Sequence, residues 1–285
     1  MTQDPRAIGA QIRMRLPQLT QLERRVVESV MSKSDISEKT SLKAIALENN
    51  VSEAMVVKVA KKLNFSGFRA FRTGLIYYKN SDVANLHAEI EPNDSSEALL
   101  EKVFKTSIQA IEETLSVLDI YQFNRAADII FKAKHIDLYG VGGSSSVARD
   151  LSHKLLKIGI KAMVHDDVHI MMMSSAILTD DDVVIAISHS GMTKSVIEPI
   201  KLASQNGAKV VAITNYDESP LAQCSDIVLN STSQGSHLLG ENAASRIAQL
   251  NILDALFVAI AQKDLKKAEQ NLNKTQQAVQ NLREY

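Results

Sequence analysis

DVVIAISHSGMTKSVIEPIKLASQNGAKVVAITN, residues 182–215, decides the fold. It opens on DVVIAIS (182–188) and closes on KVVAIT (209–214), two short β-branched runs. Consecutive apolar residues leave neither face of such a strand fit for water, so each must be covered on both sides. Thr193 to Asn206, between them, has helical spacing. Strand, helix, strand in this order is a βαβ unit with parallel strands. The same texture extends outward. HIDLYG (135–140) and DIVLN (226–230) are further strands, and KAMVHDD (161–167) is a candidate for another. Val147 to Ile158 and Pro220 to Gln223 are helical, and Asn242 to Gln262 forms a long helix rich in Ala, Leu and Ile. The expected body is an α/β domain, a doubly wound parallel sheet over residues 120–265, followed by a helical tail at 266–285.

Upstream the pattern is helical throughout, which predicts an all-α domain over residues 1–79 and a linker with a connecting helix over 80–119. Ile8, Ile12 and Leu16 mark one helix and Leu22, Val26, Val27 and Val30 a second. Polar residues and Pro92 place the boundary between Lys79 and Ser96. Leu99 to Leu118 and Ile120 to Ala133 are amphipathic helices beyond it. The chain has 285 residues, 45% hydrophobic and 23% charged, enough for two cores. Its one cysteine, Cys224, excludes an internal disulfide and a cysteine zinc cluster and reads as a buried apolar residue. The N-terminus lacks the apolar stretch of a secretory signal, and no apolar run approaches the roughly 20 residues of a membrane span. The expectation is a soluble, cytoplasmic protein with no membrane partner.

The net charge of −1 conceals an asymmetry. Residues 1–80 carry 14 Lys+Arg against 7 Asp+Glu, a balance of +7, and the rest carries −8. A basic front on an acidic body points the front toward a polyanion. Within it, Leu42, Ile45 and Ala46 give a short helix one apolar face. Asn49-Asn50 tolerates the left-handed backbone of a tight turn, Val51 plugs that turn, and Ser52 caps a second helix. Val56, Val59, Ala60 and Leu63 form the inner face of this helix. Glu53, Ala54, Val57, Lys58, Lys61 and Lys62 remain outside. This is the layout of a helix-turn-helix, whose second helix enters the major groove of double-stranded DNA. Phe65, Gly67, Phe68 and Phe71 lock that helix in place, leaving Arg69 and Arg72 for the phosphate backbone.

The body carries two serine-rich turns, YGVGGSSSVARD (139–150) and AISHSGMTKS (186–195). Each follows a strand and opens a helix, so amides, hydroxyls and the helix dipole converge where an anion would sit. Uncharged donors suit a phosphate monoester. Gly140 to Ser145 approaches a dinucleotide fingerprint but lacks its third glycine and the acidic strand end, and no Walker A lysine follows. No cofactor is expected. His165 and His169 flank Asp166 and Asp167, but no third metal ligand has a place, and these residues read as loop positions beside the ligand mouth. Met171-Met172-Met173 reads as core or subunit contact.

GVGGSSSVARDLSHKLLKIG (140–159) with ISHSGMTKSVIEPIKLASQNGAKVVAITN (187–215) resembles the sugar isomerase (SIS) domain, a phosphosugar-binding family. VSEAMVVKVAKKLNFSGF (51–68) resembles the helix-turn-helix of RpiR-type transcriptional regulators, which couple the two modules in this order. The resemblance implies phosphate contacts from Ser144, Ser145, Ser188, Ser190 and Thr193, with His189 at the variable middle position. It places Ser52, Glu53, Val56 and Lys58 in the recognition helix. Met55 departs from the usual Thr or Ser, and Asn64 from the usual Gly. HLLGENAASRIAQLNILDALF (237–257) resembles the last SIS helix, which makes Glu241 and Arg246 sugar contacts, or else a helix-opening carboxylate and an ion-pair partner. The implied protein is a homodimeric or tetrameric regulator of amino-sugar or sialic acid breakdown, answering to an N-acetylhexosamine 6-phosphate. The alternatives are a phosphosugar isomerase or etherase with a helical appendage, using Glu241 or His189 as base, and a DNA-binding protein whose body only dimerises.

Overall fold

The computed structural model describes residues 4–33, 35–82, 86, 90–233, 242–280 and 282. They form two compact units, Met1–Val117 with Thr232–Ser245, and Leu118–Ser231 with Arg246–Tyr285.

In the first unit, α1 (Pro5–Arg15) leads through a 3-10 turn to α2 (Gln21–Ser32), α3 (Leu42–Glu48), α4 (Glu53–Lys62), α5 (Phe68–Lys79) and α6 (Ser96–Val117). Their caps are written in the sequence. Thr20 and Glu23 form a reciprocal capping box on α2, and the Ser41 and Ser52 hydroxyls accept the amides of Ala44 and Met55 at the starts of α3 and α4. Asn50 (φ 52°) and Asn64 (φ 66°) take the left-handed turns after α3 and α4. The core joins Ile8 and Ile12 of α1 to Val26, Val27 and Val30, Ile45, Val56, Val59, Leu63, Phe71 and Leu75.

The helix expected as a connector is part of this unit. Glu113 of α6 is fully buried and pairs with Arg13, and it accepts hydrogen bonds from Tyr78 Oη at 3.2 Å and Gln109 Nε2 at 3.0 Å. Gly9 makes room for this cluster, since a Cβ there would stand 2.4 Å from the Tyr78 ring. Thr114 Oγ1 accepts from the Thr232 amide at 3.0 Å and donates to its carbonyl at 3.3 Å.

The second unit begins with α7 (Ile120–Lys132) and alternates β1 (Ile136–Tyr139), α8 (Gly143–Lys157), β2 (Met163–His165), α9 (Val168–Ser175), β3 (Val183–Ile187), α10 (Lys194–Gln205), β4 (Lys209–Thr214), α11 (Pro220–Gln223) and β5 (Ile227–Asn230). The strands form one parallel sheet in the order β2-β1-β3-β4-β5. Ile136, Leu138, Ile185, Ile187, Val211 and Ile213 face one core with Val147, Leu151 and Leu155 of α8. Tyr139, Val184, Ala186, Val210 and Ala212 face the other with Met171 of α9 and Val196, Ile197 and Ile200 of α10. The double-faced apolar strands therefore do what their composition demands.

Helix α12 (Asn242–Lys263) corrects one expectation. Its segment Ala243–Lys263 is long and apolar enough to cross a membrane. Ala248, Ile252, Leu253, Leu256 and Ile260 are nevertheless buried, the last four in the first sheet core. Helix α13 (Leu265–Gln280) completes the described elements.

Candidate functional site

The strand order contains the reason for the site. The chain leaves β1 through α8 toward β2, and leaves β3 through α10 toward β4, on opposite sides of the adjacent β1–β3 pair. Helices α8 and α10 also pack on opposite faces of the sheet. A crevice opens at such a switch point beyond the carboxyl ends of the strands, where doubly wound sheets hold ligands. Tyr139 pairs with Ala186, so β1 and β3 end level and both serine turns border that crevice.

At the first turn, Gly142 adopts φ 60° and a Cβ on Gly140 would come within 3.0 Å of the Ser144 carbonyl. The backbone can close here only without side chains. Ser144 is half-buried, and its hydroxyl has no partner among the described residues. Ser145 is used internally. Its Oγ donates to the Gly142 carbonyl at 2.7 Å and accepts from Arg149 Nη1 at 2.9 Å. Arg149 in turn pairs with Asp166 at 2.5 Å. Arg246 of α12 lies across Gly143, its Nη1 2.6 Å from where a Cβ would stand, with no carboxylate partner among the described residues.

At the second turn, Ser188 Oγ accepts from the Gly191 amide at 3.2 Å and lies 3.3 Å from Thr193 Oγ1. Ser190 Oγ accepts from the Met192 amide at 3.2 Å. A hydroxyl that accepts still has a proton to donate. Thr193 is the N-cap of α10 but makes no capping hydrogen bond, so the first amides of α10 and this hydroxyl cluster together. Gly191 (φ 60°) is clamped from behind, since a Cβ would fall 2.2 Å from Ser219 Oγ. The His189 carbonyl is fixed by the Asn215 amide at 3.0 Å and by Thr214 Oγ1 at 3.2 Å, while its ring meets Tyr216 edge-on at 5.9 Å. Donor-rich turns, a helix N-terminus and a guanidinium with no carboxylate partner among the described residues are groups with the chemistry to receive an anion.

In the first unit, Glu53, Ala54, Lys58 and Lys61 of α4 are exposed, and Val57 is half-buried. Ala54, Val57, Lys58, Lys61 and Lys62 line a shallow hollow of 480 Å³. Beneath them sits Glu23, 1% exposed, with Lys62 Nζ at 2.8 Å and Lys58 Nζ at 3.5 Å. Burial pushes the Glu23 carboxyl up, but the Lys62 and Thr20 hydrogen bonds outweigh it and hold the group at about 2.

Residues 7–81 match the helix-turn-helix domain, rpiR family, and residues 129–259 match the SIS domain. The HTH-type transcriptional regulator RpiR of Escherichia coli strain K12 is 38% identical over 273 residues, 95% of this chain and 92% of that protein. The chain belongs to the RpiR family. It is thus a DNA-binding transcriptional regulator with a sugar-phosphate-binding SIS domain. A Haemophilus influenzae HTH-type regulator is 33% identical over 261 residues, 90% of this chain and 91% of its own. The fold of this RpiR-family regulator is also that of the Vibrio vulnificus NanR protein complexed with ManNAc-6P. The two share a TM-score of 0.63 and 24% identity over 97% of this chain and 100% of that one.

Several residues of the regulator stand elsewhere than the sequence predicts. Arg72 is not available to phosphates. Its Nη1 donates to the Thr40 carbonyl and its Nη2 to Glu38, each at 2.9 Å, whereas Arg69 is exposed. Lys62 is drawn onto Glu23, and the Ser52 hydroxyl accepts the Met55 amide as the cap of α4 while keeping its own proton to donate. His165 is not a mouth residue. It is buried with Nε2 3.3 Å from Asp137, whose carboxylate also accepts from Tyr139 at 3.2 Å and from Ser174. Burial pushes the Asp137 carboxyl up, but the hydrogen bonds from His165 and Ser174 leave it below its ordinary value. Cys224 is half-buried, and of the methionine run only Met171 is in the core. Glu241 lies outside the described residues. Sequence reasoning missed Arg149, four residues after Ser145 on one helix face, and Thr214, Asn215 and Ser219. Polar residues at the end of an apolar strand were the available signal for Thr214 and Asn215, and a serine just before Pro220 that for Ser219.

Proposed function

We propose that the SIS domain holds a phosphorylated sugar in the β1–β3 crevice and that its occupancy changes operator affinity. The phosphate lies against Ser188, Ser190 and Thr193, with Ser144 donating from the facing turn and Arg246 supplying the countercharge. In this reading His189 and Glu241 contact the sugar. Ser145 supports the first turn through its bond to the Gly142 carbonyl. An N-acetylhexosamine 6-phosphate is the favoured effector, on the likeness of DLSHKLLKIG, SHSG and SPLAQ to regulators of amino-sugar breakdown. The NanR structure that shares this fold is a complex with ManNAc-6P. The observation that carries the reading is that two hydroxyl-bearing turns border the single switch point of the sheet.

On DNA, Glu53, Val57, Lys58 and Lys61 enter the major groove, and Arg69 reaches the backbone. The protein acts in the cytoplasm as a homodimer or tetramer, because one recognition helix reads too few base pairs. The sugar acts only if it binds two arrangements of the assembly with different affinity.

A thermal-shift panel of hexose and N-acetylhexosamine 6-phosphates, paired with gel shifts on the upstream DNA, tests the proposal. The proposal expects one ligand both to raise the melting temperature and to alter DNA affinity. Hydrogen bonds to a charged group contribute about 1.5–3 kcal/mol each. Ser188→Ala with Ser190→Ala should therefore weaken that ligand more than about 100-fold. If no phosphosugar shifts either reading, the sensing role is wrong. If the wild type converts aldose to ketose phosphate, the isomerase reading replaces it.

A further inference from the structure

A buried carboxylate holds two lysines of α4 by their heads. Glu23 stands in the first turn of α2 and is 1% exposed. Its Oε2 accepts from the Thr20 amide at 2.9 Å and from Lys62 Nζ at 2.8 Å, and its Oε1 faces Lys58 Nζ at 3.5 Å. Lys58 and Lys62 are four residues apart, so both ammonium groups leave one face of α4, where like charges repel. Glu23 offsets that repulsion and gathers both heads over one spot. Lys61, on the rim of the same hollow, is exposed, and its ammonium has no partner among the described residues.

The difference between these lysines matters on DNA. A free lysine reaches any phosphate within the length of its stem, whatever the sequence beneath. A carboxylate out of reach of water must keep its countercharge, because little else solvates it. Lys62 and Lys58 therefore stay over Glu23 and do not swing out to meet a loosely docked duplex. Each ammonium still has donors to spare, since one of its three N–H groups suffices for the carboxylate. DNA must come to those donors, and only a duplex seated closely on α4 does so. Resting on the reading that α4 enters the major groove, we propose that Glu23 is a positioning residue for DNA recognition. It restrains Lys58 and Lys62 so that they engage a correctly seated operator and not any duplex. Selectivity is a difference of two affinities, and charge withheld from the wrong partner enlarges it.

Filter binding of the full chain over a range of salt tests it, on the DNA upstream of its gene and on a scrambled duplex of equal composition. Glu23→Gln keeps the cap, since glutamine at this place in a capping box also accepts the Thr20 amide, but it releases both lysines. It should steepen the salt slope on the scrambled duplex by about 1, a gain of about tenfold at roughly 0.1 M salt. The upstream DNA should gain less, so selectivity falls. An equal gain on both duplexes, or none on either, from a variant that still melts cooperatively above the assay temperature overturns the proposal. Lys62→Gln decides independently should Glu23→Gln fail to fold. It should weaken binding to the upstream DNA and leave the salt slope on the scrambled duplex as it was. A slope there lower by about 1, the response of a free lysine, overturns the proposal. Lys61→Ala keeps the two readings apart. If it changes binding to neither duplex, α4 does not meet DNA and the underlying reading fails with this one. If it weakens both while Glu23→Gln is silent, only the restraint by Glu23 is wrong.

Discussion

Gly191 shows how much one residue type can decide. Its positive φ and the Ser219 hydroxyl behind it exclude any side chain. Gly191→Ala should destabilise the second unit by about 1–3 kcal/mol, as strained backbone positions do. It should also erase the phosphosugar thermal shift, because Ser188 and Ser190 hang on that turn. Glu23 is the counterpart in the first unit. Its carboxyl is held at about 2 against an ordinary 4.5. A depressed carboxyl stabilises the fold above its unfolded value and loses that contribution as pH falls toward the folded one. The melting-temperature advantage of wild type over Glu23→Gln should thus be full above about pH 4.5 and shrink as the pH is lowered toward 2. A constant gap over that window would show that the Glu23 charge contributes nothing to the stability of the fold. At this scale the sequence was half legible. Ser188, Ser190 and Thr193 announced themselves by following a strand. The use of Ser145, Arg72 and Lys62 within the fold did not, because hydrogen-bond partners such as Arg149, Glu38 and Glu23 come from positions that only the tertiary structure brings near.

Among the elements, α4 separates two kinds of basic residue. Lys61 is exposed and unpaired among the described residues, so Lys61→Ala should weaken DNA binding nearly equally on all sequences and lower the salt slope by about 1. Arg72 of α5 ties the segment before α3 to the unit through Thr40 and Glu38. Arg72→Ala should lower the melting temperature of the first unit and leave the salt slope unchanged. Filter-binding titrations over salt, beside melting curves, distinguish the two. The elements themselves were well marked, since Ser52, Asn50 and Asn64 sit where caps and turns need them. Helix α6 was found from its periodicity but assigned to a linker. Periodicity shows that a helix has two faces, and it does not say which neighbour covers them.

For the whole molecule, the double winding was readable from strands apolar on both faces, while the strand order was not. Order depends on which strand edges meet, and composition carries no trace of that. Two separate cores predict two separable unfolding events. A phosphosugar at 100 times its Kd should add about 2.7 kcal/mol to the unit carrying the sheet and leave the other transition in place. Scanning calorimetry with and without ligand reads both, and a single transition moving as one would show that the units melt cooperatively.

The bond between Thr114 and Thr232 has a practical consequence for anyone rearranging this protein. The polypeptide quits its DNA-reading half after Val117, revisits it from Thr232 to Ser245, and departs again. Cutting once at residue 118 therefore yields a fragment deprived of its own Thr232 clasp. Hybrid sensors grafted at one junction would inherit a defective reader, so functional chimeras need three seams instead of one.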